Sequence, residues 1–418
     1  MPEHYVPRIA DDELARRLAV SGAVAIDGPK ACGKTMTASR VAKTVHRFLT
    51  DTNLRAIARA APGALFAEPT PILFDEWQTV PELWNHVKEA ADAAHPRKGQ
   101  YLLTGSATPD DDIDRHSGTG RISTLRMRPM SLYETGHSTG AVALTDLFDG
   151  NLKPTANLAM TVPEILERIV IGGWPALLDV SVPDAQQWLQ DYLQTIVEQD
   201  LPRLGPNRDP AKVRRLLTAL ARGTANPIKI STLAADVGGA DGPVSWDTIQ
   251  AYLTGLERLM LTEDVPAWAP HMRSTTPLRK DATRYMVDPS LGLAALGQGP
   301  KQLLHDLNAA GFHFESLVVR DLRIYSQSLR GRLAHWRDKN GHEVDVILTL
   351  GDGRWAALEV KLSPEKTSEA AASLIRFKAK VDTSKIGEPE FMAVITATGP
   401  AHVRPDGVMV VPITTLGP

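Results

Sequence analysis

The sequence predicts an α/β protein in four parts. They are a parallel-sheet domain over residues 1–140, a helical segment over 141–205, a winged-helix middle over 206–295 and a second α/β domain over 296–418. Three observations carry this. A glycine-rich loop, Gly28–Thr35, stands between an apolar run, Ala23–Ile26, and a segment of helical periodicity. Two further apolar runs, Pro71–Glu76 and Tyr101–Ser106, end in polar residues, the pattern of buried parallel strands that carry function at one edge. Near the C-terminus, Glu343–Leu348 and Trp355–Lys361 read as paired strands behind a helix.

Bulk properties narrow the class. The 418 residues are 43% hydrophobic and 23% charged, which suits a globular chain rather than a disordered one. No run of about 18 apolar residues occurs, so no membrane-spanning helix is expected. The N-terminus lacks a basic flank followed by an apolar stretch, so no secretory signal is expected either. Cys32 is the only cysteine and cannot form an internal disulfide, which fits a reducing cytoplasm. With a net charge of −3 the surface as a whole does not attract nucleic acid, and any such binding needs a local basic patch.

The loop fits the pattern G-x-x-x-x-G-K-[ST], the phosphate loop of P-loop NTPases. Gly28, Pro29, Lys30, Ala31, Cys32, Gly33, Lys34, Thr35 and Met36 are its nucleotide-binding positions. Glycines let the backbone wrap closely, turning amide N–H groups and a helix N-terminus towards phosphate. Lys34 is placed to reach the β- and γ-phosphates of ATP, and Thr35 to offer a hydroxyl to Mg²⁺. The alternative is a chance glycine turn, which the flanking strand and helix argue against. Thr35 to Phe48 reads as that helix, with Ala38, Val41, Ala42 and Val45 on one face.

The run Pro71–Glu76 ends in two acids. Asp75 would hold Mg²⁺ through a water, and Glu76 would take the proton of the attacking water. The local alternative, two acids opening a helix, gives way to the position of the pair downstream of a phosphate loop. Thr104, or Ser106, at the tip of the next strand would sense the γ-phosphate, unless Thr104–Ser106 is merely a turn. Arg121, with Arg126 or Arg128 behind it, is the candidate to reach a neighbouring subunit's γ-phosphate; a solvated strand edge is the competing reading.

Residues 145–205 read as helical, broken at Ile171–Pro175 by a turn that seats Trp174 in a core. Next come helices over Lys212–Arg222, from Ser231 and over Trp246–Leu259, then strand-like Met260–Val265 and Arg284–Val287. Together they make the winged-helix pattern. Lys212, Arg214, Arg215, Arg222, Arg273, Arg279 and Lys280 give it a basic character that suits DNA, though a protein-contact winged helix fits as well. In the last part a helix runs from Gln302 to about Tyr325 and carries Glu315. Alternation along a strand puts Glu359 and Lys361 on one face, with Asp345 on the strand before. Glu315, Asp345 and Glu359 would hold a Mg²⁺, and Lys361 would help a water attack a phosphodiester. A strand face with surface ion pairs, or the same fold with unused chemistry, are the alternatives.

These stretches, with Gly172–Pro175, resemble the prokaryotic AAA-type ATPases, close to the archaeal-ATPase group, that carry a C-terminal domain of unknown function. The resemblance spans nearly the whole chain and implies an AAA+-like first domain. The pattern Glu343–Asp345 with Leu358–Lys361 is similar to that of the PD-(D/E)xK nuclease superfamily, which implies a restriction-endonuclease-like C-terminal fold. Carried over by motif, Lys34, Thr35, Asp75 and Glu76 are the ATPase residues, and Asp345, Glu359 and Lys361 the nuclease-like ones. Many AAA proteins have asparagine where this chain has Thr104 or Ser106. The expectation is a cytoplasmic, Mg²⁺-dependent, homo-oligomeric ATPase acting on DNA. Its rival is a regulatory switch that binds a protein partner and keeps a silent C-terminal domain. A small-molecule kinase is disfavoured, because the Asp75–Glu76 pair suits water activation.

Overall fold

Five short apolar runs build the first sheet, in a computed structural model that describes residues 5–106, 119–156, 160–204, 209–270 and 282–418. They are β1 (Ala23–Asp27), β2 (Thr44–Arg47), β3 (Ile72–Asp75), β4 (Tyr101–Gly105) and β5 (Ile122–Arg126). Their order is β2-β3-β4-β1-β5, with every pair parallel. Strands β1, β3 and β4 are apolar on both faces because both faces are covered. Phe48, Phe74 and Leu103, all fully buried, belong to one core with Val87 of the helix Leu83–Ala93. Since β4 lies between β1 and β3, the loop after β1 and the acids ending β3 meet at one edge, beside the polar tip of β4.

One sequence expectation is corrected here. The helix after the loop spans only Lys34–Ser39, and Val45 lies in β2 rather than on a helix face. Thr44 and Val45 are β-branched and gain a ladder with β3, Thr44 opposite Ile72 and Val45 opposite Leu73. A tertiary partner outweighs the local helical pattern.

The chain divides into two compact units, Met1–Pro129 with Gly255–Met260, and Met130–Thr254 with Leu261–Pro418. The second begins with a short parallel pair, β6 (Val142–Ala143) with β13 (Leu416–Gly417). Helices Val162–Ile171 and Val182–Thr195 flank the turn at Gly172–Pro175, and Trp174 is fully buried there, as expected. Helices Pro210–Arg222, Ile230–Gly238 and Trp246–Arg258 follow. The second begins at Ile230, with Lys229 rather than Ser231 in the N-cap position and no side-chain cap there. Antiparallel bridges join Thr262 to Met286, Val265 to Thr283 and Pro227 to Thr283. Arg273, Arg279 and Lys280 lie outside the described residues.

The C-terminal helix is Leu307–Gln327, preceded by a separate turn of helix, Pro300–His305, because Asp306 caps the N–H of Ala309. After it come β7 (Arg332–Arg337), β8 (Glu343–Thr349) and β9 (Trp355–Lys361), an antiparallel meander. The helix Thr367–Lys378 crosses over to β10 (Phe391–Thr396), parallel to β9, with β12 (Met409–Pro412) and β11 (His402–Val403) beyond it. The sheet is mixed, in the order β11-β12-β10-β9-β8-β7.

Candidate functional site

The loop is shaped by close backbone approaches. A Cβ at Gly28 would lie 2.3 Å from the Met127 carbonyl oxygen, so only glycine fits. Ala31 (φ 61°) and Gly33 (φ 106°) are left-handed, the kind of backbone that builds anion-binding concavities. Arg8, 7% exposed, donates to the Cys32 carbonyl at 2.8 Å and to the Arg128 carbonyl at 2.7 Å, clamping the loop to the chain after β5. No motif announces Arg8, and sequence reasoning missed it. Lys34 is buried and donates to the carbonyls of Gly28 and Pro29, both at 2.8 Å.

The predicted acids and hydroxyls converge. Asp75 Oδ1 accepts from Thr35 Oγ1 at 2.7 Å and from Thr104 Oγ1 at 2.6 Å. The register explains the second bond, since Asp75 lies opposite Thr104 across β3 and β4. Glu76, the next residue, has different partners: its Oε2 accepts from Ser106 Oγ at 3.1 Å and from Gln78 Nε2. Thr104 therefore touches the acid expected to hold the metal, and Ser106 touches the expected base. Gln78 was missed, although it stands only two residues beyond Glu76.

Arg121 is placed elsewhere. It precedes the pairing of Ile122 with Ala23, at the opposite end of β5 from the loop, and its guanidinium meets Asp92. Within one chain it does not reach the phosphate side. Arg126 does lie at that edge, opposite Asp27.

The donor set fits ATP with Mg²⁺: an ammonium on the loop, a hydroxyl at Thr35 and a carboxylate that already gathers two hydroxyls.

In the second unit three of the four C-terminal residues, Asp345, Glu359 and Lys361, come into contact. Lys361 Nζ lies 2.7 Å from Glu359 Oε2 and 3.3 Å from Asp345 Oδ2. Asp345 Oδ2 accepts from the Val360 N–H at 2.7 Å as well. Glu315 is held by the Tyr285 hydroxyl at 2.6 Å. Burial, and then the charge of Asp345, push the Glu359 carboxyl up to about 8 and raise Glu315 well above its usual range. Burial opposes the Lys361 charge, but Asp345 and Glu359 together raise its pKa. The expectation of three carboxylates around one metal is corrected to this extent. Among the described residues no three His, Cys, Asp or Glu side chains form a metal-holding group, and an ammonium stands between two of the acids. Ser373, which donates to Glu359 Oε1 at 3.2 Å and contacts His342 Nε2 at 3.0 Å, was also missed.

Comparison with known proteins bears on the region that holds the first site. Residues 20–136 match the family model of an AAA domain. Residues 162–302 and 310–416 match models of two domains of unknown function, DUF8612 and DUF4143. The N-terminal region is thus similar to AAA-type P-loop ATPase domains, which bind ATP. Uncharacterized proteins of Mycobacterium tuberculosis and Mycobacterium bovis are each 24% identical over 381 residues, covering 90% of this chain and 77% of theirs. A Walker-type ATPase of Pyrococcus abyssi is 14% identical, with a TM-score of 0.43 over 71% of this chain and 97% of its own. The replication initiator DnaA bound to AMPPCP and single-stranded DNA has a TM-score of 0.27 at 12% identity, over 60% of this chain and 86% of its own. These structural likenesses are too slight to carry an argument. Among the described residues no helix is long and apolar enough to cross a membrane.

Proposed function

We propose that the first unit hydrolyses ATP with Mg²⁺, and that the chain uses this on DNA. The observation that carries the ATPase reading is the division of labour at the end of β3. Asp75 collects the hydroxyls of Thr35 and Thr104, while Glu76 is held separately by Ser106 and Gln78. Lys34 binds and orients the phosphates. Thr35 and Asp75 would hold Mg²⁺, which when bound supplies positive charge to the phosphate oxygens. Glu76 takes the proton as water attacks the γ-phosphate. An arginine from a neighbouring copy, Arg121 first, would complete the site in a homo-oligomer.

The DNA reading draws on three helices with a bridged hairpin, which we read as a winged helix, and on the acid–lysine cluster of β8 and β9 as a nuclease-derived site. One observation favours the rival, a switch that binds a protein partner. Arg214 is paired with Glu198, and Arg215 donates to the carbonyls of Val237 and Gly238, so two of the basic residues already have partners within the chain. The test is ATP turnover with Mg²⁺, alone and with single-stranded, duplex or branched DNA, the products being run on a gel. Stimulated turnover with DNA cleavage that disappears in Lys361→Ala supports the first reading. Turnover indifferent to DNA, with the DNA intact, supports the second.

A further inference from the structure

We propose that Gln78 is a positioning residue for Glu76, fixing the carboxylate that takes a proton from water. The inference rests on the reading of Glu76 as the hydrolytic base. The chain leaves β3 at Asp75 and turns at Glu76, whose backbone is left-handed (φ 55°, ψ 45°). For a residue with a Cβ that conformation is strained and persists only where neighbours impose it. Here they do. The Thr79 N–H and hydroxyl donate to the Glu76 carbonyl at 3.0 and 2.9 Å, and Trp77, 3% exposed, packs on Trp84 at 5.1 Å between ring centres.

Gln78 stands between these anchors and turns its amide back on Glu76. An ionised carboxylate only accepts, so the nitrogen of the Gln78 amide must face Glu76 and the oxygen must face away. That oxygen is buried and has no hydrogen-bond partner among the described residues. A buried acceptor left without a donor is costly, a cost that a methionine of similar length would not incur. Gly105 makes the arrangement possible, because a Cβ there would lie 2.8 Å from Gln78 Oε1. Ser106 grips the same Glu76 oxygen from the tip of β4. With Oε2 held from two sides, Oε1 is the oxygen presented to a water proton.

The experiment is steady-state ATP turnover with Mg²⁺ on the full chain, with a titration of a fluorescent ATP analogue, for wild type, Gln78→Ala, Gln78→Glu, Ser106→Ala, Ser106→Thr and Gly105→Ala. Gln78→Ala should lower kcat about tenfold, and Gln78→Glu, which sets a like charge against the base, about a hundredfold. KM and analogue affinity should stay within about twofold, since only the orientation of the base has changed. Ser106→Thr keeps a hydroxyl and should recover most of what Ser106→Ala loses. A Cβ at Gly105 would press on Gln78 Oε1 at 2.8 Å and on Trp77 Nε1 at 3.1 Å, so Gly105→Ala should also lower kcat. In the double variant with Gln78→Ala, the share of that loss that runs through Gln78 should not be added again. Gln78→Ala with kcat unchanged, or with KM altered by the same factor as kcat, overturns the inference and leaves the ATPase reading standing. A wild type that binds the analogue but turns over no ATP overturns the reading of Glu76, and this inference with it.

Discussion

Adjacent acids do different work because each faces a different neighbour. Asp75 ends its strand in register with Thr104, while Glu76 is swung by a left-handed turn towards Ser106 and Gln78. Glu76→Gln keeps the side chain's size and removes its basicity. It should retain ATP binding and lower kcat about a hundredfold or more, read by turnover beside a binding titration. Lys34→Ala should abolish binding itself; hydrolysis by Glu76→Gln at the wild-type rate would sink the assignment. A second residue-scale prediction concerns His137. Its Nε2 receives Arg168 Nη1 at 3.2 Å and its Nδ1 meets Thr135 Oγ1 at 2.9 Å, a pattern that needs a neutral ring. Burial, and then the Arg168 charge, lower its pKa from the ordinary 6.5. The unfolded chain therefore binds the proton more readily. The stability that His137 contributes is whole above pH 6.5 and is lost as pH falls through the lowered value. Denaturant melts from pH 8 down to pH 5 should show less acid loss in His137→Gln than in wild type.

At the scale of elements, the loop motif, the acidic strand and the polar-tipped strand were legible because each is a contiguous run with its own period. What was not legible is the fate of Thr44–Arg47, read as helix, where pairing with β3 decides the outcome. The turn at Gly172–Pro175 was legible as a turn that buries Trp174, but what holds it was not. Its partners lie far off in sequence: the Gly173 N–H donates to Asp288 Oδ2 at 3.0 Å, and Trp174 Nε1 donates to Ser290 Oγ at 3.1 Å. The Gly173 carbonyl also accepts from the Met130 N–H at 2.6 Å, and a Cβ at Gly173 would fall 1.9 Å from the Met130 carbonyl oxygen. Backbone cannot yield as a side-chain tip can. Gly173→Ala should destabilise the second unit by about 3 kcal/mol, the upper end of ordinary overpacking, whereas Gly341→Ala is strained only by its φ of 81° and should cost less. Equal melting temperatures for the two variants would refute the close-contact account.

Across the whole molecule, charge is spent more on structure than the composition suggests. The net charge of −3 describes the surface field and hides buried ions. Arg320, 3% exposed, lies between Asp288 and Asp321, both fully buried, with contacts of 2.8 and 2.7 Å. The other oxygen of Asp321 accepts from the Leu132 N–H at 3.0 Å and the Tyr325 hydroxyl at 3.2 Å, so four distant stretches of the second unit meet at one guanidinium. Sequence could not show this, since an arginine followed by an aspartate reads as a solvated helix face. Every oxygen of the two acids has a donor, the condition under which a buried ion cluster holds. Arg320→Met keeps the length and removes the charge, leaving two buried carboxylates without their shared counter-charge. The expected loss is about 3–5 kcal/mol, the cost of orphaning a buried charge. Replacing Asp288 and Asp321 by asparagine in the same chain should restore part of it, because neutral amides need no counter-charge. If Arg320→Met melts like wild type while ATP turnover is also unchanged, the cluster does not hold the unit together, and the core around Trp174 must do so alone.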